Sequence, residues 1–252
     1  MPCTSTPIAP AAFLICIDPR PMLPEPDPNL ITAGRFMSAA EGVIRFEYQL
    51  DRALAPFATG AEFMRLNAWR SILHRLTLLG QCATRYEGYG FGNVSLRCAQ
   101  DPAAFLITAS QTGGKFRTEV EDWAQVTQAD LQQFRVDAIG LLPPSSEAMT
   151  HAMIYAADQQ VNCVLHVHSP DIWRQTSELA LSHTDARVAY GTPDLASHVS
   201  RLFKAHAMRP MVFTTLGHED GVFACGRDVD TAAHALLDVL AAALACQSEA
   251  RS

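Results

Sequence analysis

Apolar and polar residues alternate in two different rhythms along this chain, and the change of rhythm marks its elements. From about Ala61 to Leu79 apolar side chains recur at Phe63, Leu66, Trp69, Ile72 and Leu76, a helical stripe that stops at Gly80. FGNVSLRC (91–98) and AAFLITAS (103–110) then read as strands around a turn at Gln100-Asp101-Pro102. A helix is predicted from about Ser146 to Gln159, with Ala148, Met149, Ala152, Met153 and Ala156 on one stripe. The apolar run VNCVLHVH predicts a strand. Beyond it come a helix at 193–206, strands at 211–216 and 221–225, and a long helix from about Val229. The pattern from Ala33 to about Ala58 is only weakly helical. Helices alternating with strands predict an α/β fold with a central sheet and helices packed on its faces.

The N-terminal stretch has a different character. Residues 18–28, DPRPMLPEPDP, hold five prolines and read as an extended connector. We therefore divide the chain into an N-terminal extension, 1–60, and a domain, 61–252. The apolar patch Ala11–Ile17 lacks a preceding positive flank and stops at Asp18, which does not fit a secretory leader. No run looks long enough for a membrane span.

Composition narrows the chemistry. With 48% apolar and 18% charged residues the chain reads as a globular protein, and a net charge of −7 without any basic cluster argues against a nucleic-acid partner. Of the 19 basic residues only Lys115 and Lys204 are lysines, and neither lies in an apolar run, which disfavours Schiff-base catalysis. Cysteines at 3, 16, 82, 98, 163, 225 and 246 are scattered and odd in number, fitting a reducing compartment. A cytoplasmic location is the expectation.

The candidate chemistry sits in the HVH strand. His166 and His168 are two residues apart, so both imidazoles project from one face while Val167 projects from the other. Paired imidazoles on an apolar strand are hard to bury unpartnered and suit metal ligation, although a satisfied core histidine is the plainer reading of either alone. His218, between two strand-like runs in Leu216-Gly217-His218-Glu219-Asp220-Gly221, is either a hairpin residue or a third ligand of an open site. Glu147 follows Ser145 and Ser146 at a helix start, where a carboxylate and two hydroxyls are ordinary capping chemistry. They would serve equally as an anion pocket with a proton-transfer group beside it. His151, one turn on, is a possible hydrogen-bond partner for Glu147. An HxHxDH metallohydrolase motif would need Asp and His where Pro170 and Asp171 stand, and the zinc-deaminase, P-loop and GxGxxG signatures are absent.

Six short motifs, in order, carry a resemblance: Gly92-Asn93-Val94-Ser95, Ile107-Thr108-Ala109-Ser110-Gln111-Thr112-Gly113, Ser145-Ser146-Glu147, His166-Val167-His168, Ala189-Tyr190-Gly191-Thr192-Pro193 and Gly217-His218-Glu219-Asp220-Gly221. Over about residues 61–245 the chain resembles the class II aldolase/adducin family, which includes fuculose- and rhamnulose-phosphate aldolases and ribulose-phosphate 4-epimerase. The resemblance implies a three-layer α/β/α sandwich around a mixed sheet, usually a homotetramer with sites near subunit interfaces. It implies Zn2+, or another divalent metal such as Fe2+, Mn2+ or Co2+, on His166, His168 and His218, with Glu147 as the acid/base. Asn93, Ser145, Ser146 and the Thr112-Gly113 turn match positions that hold a substrate phosphate, with Ser110 as a competitor because the turn carries two extra residues. Two departures stand out. The interval Asp171–Val188 is short, contains no Tyr and offers only His183 as a proton donor, and GHEDG replaces the more usual GHG.

The implied function is a metal-dependent lyase working through an enolate on a small hydroxy-carbonyl compound, sugar phosphates included, by retro-aldol cleavage, epimerisation, dehydration or decarboxylation. Two alternatives stay open from the sequence: a non-catalytic, adducin-like interaction domain, and a non-heme iron oxygenase on the same scaffold.

Overall fold

The computed structural model describes residues 42–205 and 210–249. In chain order these form β1 (Glu47–Asp51), α1 (Gly60–Arg75), β2 (Gly80–Gln81), β3 (Gly90–Phe91), β4 (Asn93–Cys98), β5 (Asp101–Thr108), β6 (Trp123–Asp130) and β7 (Arg135–Gly140). There follow α2 (Ala148–Ala157), β8 (Cys163–His168), α3 (Pro170–Arg174), β9 (Ser182–Thr184), α4 (Pro193–Ala205), β10 (Met211–Thr215), β11 (Gly221–Gly226) and α5 (Val229–Glu249). Nine strands make one sheet in the order β1-β7-β6-β5-β4-β8-β11-β10-β9, and β2 and β3 form a separate pair. The sheet is mixed: β1 with β7 and β9 with β10 run parallel, and the other neighbours are antiparallel.

Both faces of the sheet are covered by helices, so the inner strand β8 is buried along its whole length. On one face Phe105, Ile107, Val126, Val136, Val164, Phe213 and Phe223 pack with Met149, Met153 and Ile154 of α2 and Leu195, Val199 and Phe203 of α4. On the other, Val94, Leu106, Leu165, Val167, Val222 and Ala224 pack with Leu66, Trp69 and Leu73 of α1 and Ala232, Ala233 and Leu236 of α5. Strand alternation assigns each β8 residue a side: Val164 joins the α2 face, Leu165 and Val167 the α1/α5 face, and all six residues of β8 are buried.

The structure changes the sequence reading at several points. The expected weakly helical segment 33–58 contains a strand instead, β1, which pairs in parallel with β7 and so extends the sheet into the N-terminal extension. The part of that segment before residue 42, and the proline-rich connector, lie outside the described residues. β6 and β7 were not anticipated. In β7 the inward positions are Val136, Ala138 and Gly140, too small to write a strong alternating pattern. Contrary to the expectation of no membrane-length run, Val229–Ser248 is long and apolar enough by composition to span a bilayer. Its alanines hid this, and here they allow Ala232 and Ala233 to approach the sheet closely.

A polar chain crosses the α2 face. Ser95 Oγ lies 2.6 Å from His151 Nδ1 and 2.6 Å from Tyr155 Oη, all three residues being buried. Burial pushes the His151 imidazole from the usual 6.5 down to about 3. Because its folded value is depressed, the stability held by neutral His151 is complete above pH 6.5 and is lost as the pH falls towards 3. Unfolding measured between about pH 6.5 and 4 should therefore show a slope that His151→Gln reduces by up to about 1.4 kcal/mol per pH unit. An identical slope in the variant would show that the imidazole is not held neutral by its burial.

Candidate metal and substrate site

The site grows from the register of three neighbouring strands. Asn93 of β4 stands opposite His166 of β8, and Phe223 and Gly221 of β11 stand opposite His166 and His168. Since these positions share the α2 face, both imidazoles meet the start of α2, where Glu147 is the residue preceding the helix. The β10–β11 turn brings His218 to the same place. The ligand-capable atoms of His166, His168 and His218 lie within 4.8 Å of one another, and all three residues are buried. Gly221 is required there: a Cβ would meet His218 Nδ1 at 3.2 Å and press into the Thr215 hydroxyl.

The hydrogen bonds indicate the state of His166. Its Nδ1 lies 3.2 Å from the carbonyl oxygen of Val222, which can only accept, so Nδ1 carries the proton. Nε2 is then turned towards Glu147 Oε2, 2.7 Å away, while the other oxygen of Glu147 lies 3.3 Å from His218 Nδ1. A lone pair and a carboxylate at that distance repel unless a positive charge, a proton or a metal ion, lies between them or close by. Burial alone would raise the Glu147 carboxyl, but the pull of the His166 and His218 imidazoles outweighs it and holds the group well below the usual carboxylate range. Burial, reinforced by the neighbouring His218 and His166, holds His168 neutral by depressing its value well below the usual 6.5. Three buried imidazoles around an ionised carboxylate are a donor set that fits a divalent cation.

Aromatic rings fix the imidazoles in place. Phe223 stacks on His166 at 4.2 Å, Tyr190 stacks on His218 at 4.6 Å, and the edge of Tyr86 meets His168 at 4.6 Å. Neither tyrosine stood out as a site residue in the sequence, although Tyr190 lies within the Ala189–Pro193 motif. Arg45, from the segment before β1, lies with its guanidinium 4.9 Å from the centre of the Tyr190 ring.

Beside the histidines a cleft is lined by Asn93, Ser110, Thr112, Gly113, Ser145 and Ser146, together with Gly42, Gly90 and Gln111. The structure thus gathers all six of the predicted substrate-contact residues. The Thr112 hydroxyl donates to the Ala109 carbonyl at 2.8 Å, so its side chain already serves the turn. Arg70, a buried arginine of α1 that the helical pattern could not single out, donates to the carbonyl oxygens of Thr112 and Lys115 at 2.8 and 2.7 Å. Gly113 is needed for close packing, since a Cβ would meet the Gly80 carbonyl at 2.5 Å and the Gly90 Cα at 2.9 Å.

Two expectations about nearby groups change. The bond found for His151 Nδ1 is to Ser95 Oγ, on the neighbouring strand, and not to Glu147. His183, the one proton donor expected between the HVH strand and Val188, is exposed on the edge strand β9, with Nδ1 3.0 Å from the Leu181 carbonyl. A cavity of about 560 Å³ lies elsewhere, among Arg65, Arg97, Asn162 and Asp228.

Comparison with known proteins bears on the fold and the family. Methylthioribulose-1-phosphate dehydratase from Geobacillus kaustophilus (strain HTA426) is 33% identical over 106 residues, 40% of this chain and 48% of that protein. The same enzyme from Bacillus mycoides (strain KBAB4) is 36% identical over 80 residues, 32% of this chain and 35% of that protein. The chain therefore matches less than half the length of these relatives. Among solved structures, an L-fuculose 1-phosphate aldolase superimposes with a TM-score of 0.55 at 20% identity, covering 77% of this chain and 89% of that one. A sugar-phosphate aldolase from Thermotoga maritima gives 0.53 at 18% identity, over 75% of this chain and 95% of the other. At these identities the likeness concerns the fold, a mixed α/β architecture around a central sheet. Residues 82–246 match the family described as Class II Aldolase and Adducin N-terminal domain, and the chain belongs to that family.

Proposed function

We propose that this chain is a divalent-metal-dependent lyase that takes a phosphorylated hydroxy-ketone of sugar size, on a three-layer α/β/α frame. The observation that carries the proposal is the convergence of His166, His168 and His218, with buried Glu147 set against His166 Nε2 and His218 Nδ1 at 2.7 and 3.3 Å. His166, His168 and His218 would hold the cation, which when bound supplies a Lewis acid that polarises a carbonyl and accommodates negative charge developing on its oxygen. Zinc suits three imidazoles, and Fe2+, Mn2+ and Co2+ suit them too.

The chain's own groups then have distinct parts. Glu147, with its oxygens 2.7 and 3.3 Å from His166 and His218, would take or return a proton at the carbon next to that carbonyl. Asn93, Ser110, the Thr112-Gly113 turn, Ser145 and Ser146 line the adjoining cleft, where their amide, hydroxyl and backbone groups suit a phosphate. Burial of the site excludes water and strengthens each of these interactions. The named relatives support the substrate class, because the dehydratases and the fuculose-phosphate aldolase carry sugar phosphates in their names. Proton removal beside a carbonyl is common to dehydration and epimerisation, so both belong in the assay alongside retro-aldol cleavage. Assembly into a homotetramer belongs to the same proposal and rests on the family membership.

Elemental mass spectrometry of natively purified protein should find about one divalent ion per chain, lost in His166→Ala with retention of the fold. Wild-type protein that neither contains nor takes up a metal would favour the interaction-domain alternative, and iron with oxygen consumption would favour the oxygenase. For the proton-transfer role, Glu147→Gln should keep the metal yet lower turnover of a phosphorylated hydroxy-ketone by about 10²- to 10⁴-fold. Turnover at the wild-type rate would assign the proton to another group.

A further inference from the structure

The two residues that GHEDG inserts between His218 and its following glycine have different fates. Glu219 is exposed, whereas Asp220 is buried and adopts a left-handed backbone with φ 60°. Asp220 accepts a hydrogen bond from the Tyr86 hydroxyl at 2.7 Å, and Tyr86 in turn accepts one from Arg85 Nη2 at 2.8 Å. Tyr86 and Glu87 are also left-handed, with φ 49° and 57°. Conformations that cost energy at both ends of one hydrogen bond indicate that the surrounding structure holds that bond in place.

This chain of bonds touches two of the histidines. The Tyr86 ring meets His168 edge-on at 4.6 Å. The backbone carbonyl of Asp220 accepts from Ser169 N at 2.9 Å, directly after His168, and Gly221 N donates to the His218 carbonyl at 3.0 Å. The Arg85 guanidinium lies 4.5 Å from the centre of the Phe91 ring, tying the segment to β3. We propose that Arg85, Tyr86 and Asp220 form a clamp of positioning residues that sets the spacing of His168 and His218, and that the insertion in GHEDG exists to supply its acceptor. This rests on the metal-site reading above.

The test titrates metal-free full-length protein with Co2+ alone, following visible absorption and affinity, in wild type, Tyr86→Phe, Asp220→Ala, the double variant and Asp220→Asn. Tyr86→Phe keeps the ring against His168 and removes only the hydroxyl. Tyr86→Phe and Asp220→Ala should each weaken Co2+ binding about 10-fold and alter the absorption band. The double variant should bind no more weakly than the weaker single one, because both substitutions break one bond. Asp220→Asn, which retains an oxygen acceptor, should stay within a few-fold of wild type. Circular dichroism and thermal unfolding of the metal-free variants separate a lost clamp from a lost fold, and the two single variants serve as substitutes if one fails to fold. Wild-type affinity and spectrum in both single variants would overturn the clamp, as would losses that multiply in the double variant. Wild-type protein that takes up no Co2+ would overturn the metal site and the clamp together.

Discussion

A carboxyl group buried against two imidazoles is the constraint on which the site of this structure depends. Glu147 is 1% exposed, and placing its charge away from water costs several kcal/mol unless positive charge and hydrogen-bond donors surround it. Its oxygens lie 2.7 and 3.3 Å from His166 Nε2 and His218 Nδ1, where a proton or a divalent ion would supply that compensation. The arrangement is a poor choice for stability alone, since well-packed apolar groups would serve as well or better. Its retention in a site with a neighbouring polar cleft is what a metal and a reacting carbonyl would require.

The architecture around it fixes the imidazoles before any ligand arrives. β8 lies inside the sheet with antiparallel partners on both sides, so His166 is held by β4 and β11, and His168 by β11 and by the Leu78 carbonyl. Phe223 and Tyr190 limit ring rotation of His166 and His218 by stacking, and the Val222 carbonyl selects the tautomer of His166. Such outer contacts commonly tune a metal site as much as its ligands do. On the substrate side, buried Arg70 holds the turn that ends at Gly113, so the cleft is shaped from beneath by a helix far away in sequence.

Family membership and local chemistry carry different parts of the conclusion. The match over residues 82–246 assigns the fold and the family. The departures assign what is particular to this chain: a short interval after β8 whose histidine faces outward, and an acidic insertion after His218 that turns inward to Tyr86.

Local sequence determined the features that depend on spacing along one element. The i, i+2 histidines had to share a face because strand side chains alternate, and the apolar pattern from Phe63 to Trp69 marked a helix with a buried side, although that helix ends at Arg75 and leaves Ile72 and Leu76 exposed. The two serines and Glu147 marked a helix start, although the helix begins at Ala148 with Glu147 itself in the cap position and no side-chain cap bond. Tertiary structure alone decided which faces met: that His218 reaches His166, that His151 turns to Ser95, and that Arg70 and Tyr86 serve the site. β1 joined the sheet only because β7 offered it an edge, and β7 wrote too faint a pattern in Val136, Ala138 and Gly140 to announce itself. Periodicity records the side of an element that is buried, whereas the partner across the gap is chosen by packing between residues tens of positions apart, and no local pattern encodes that choice.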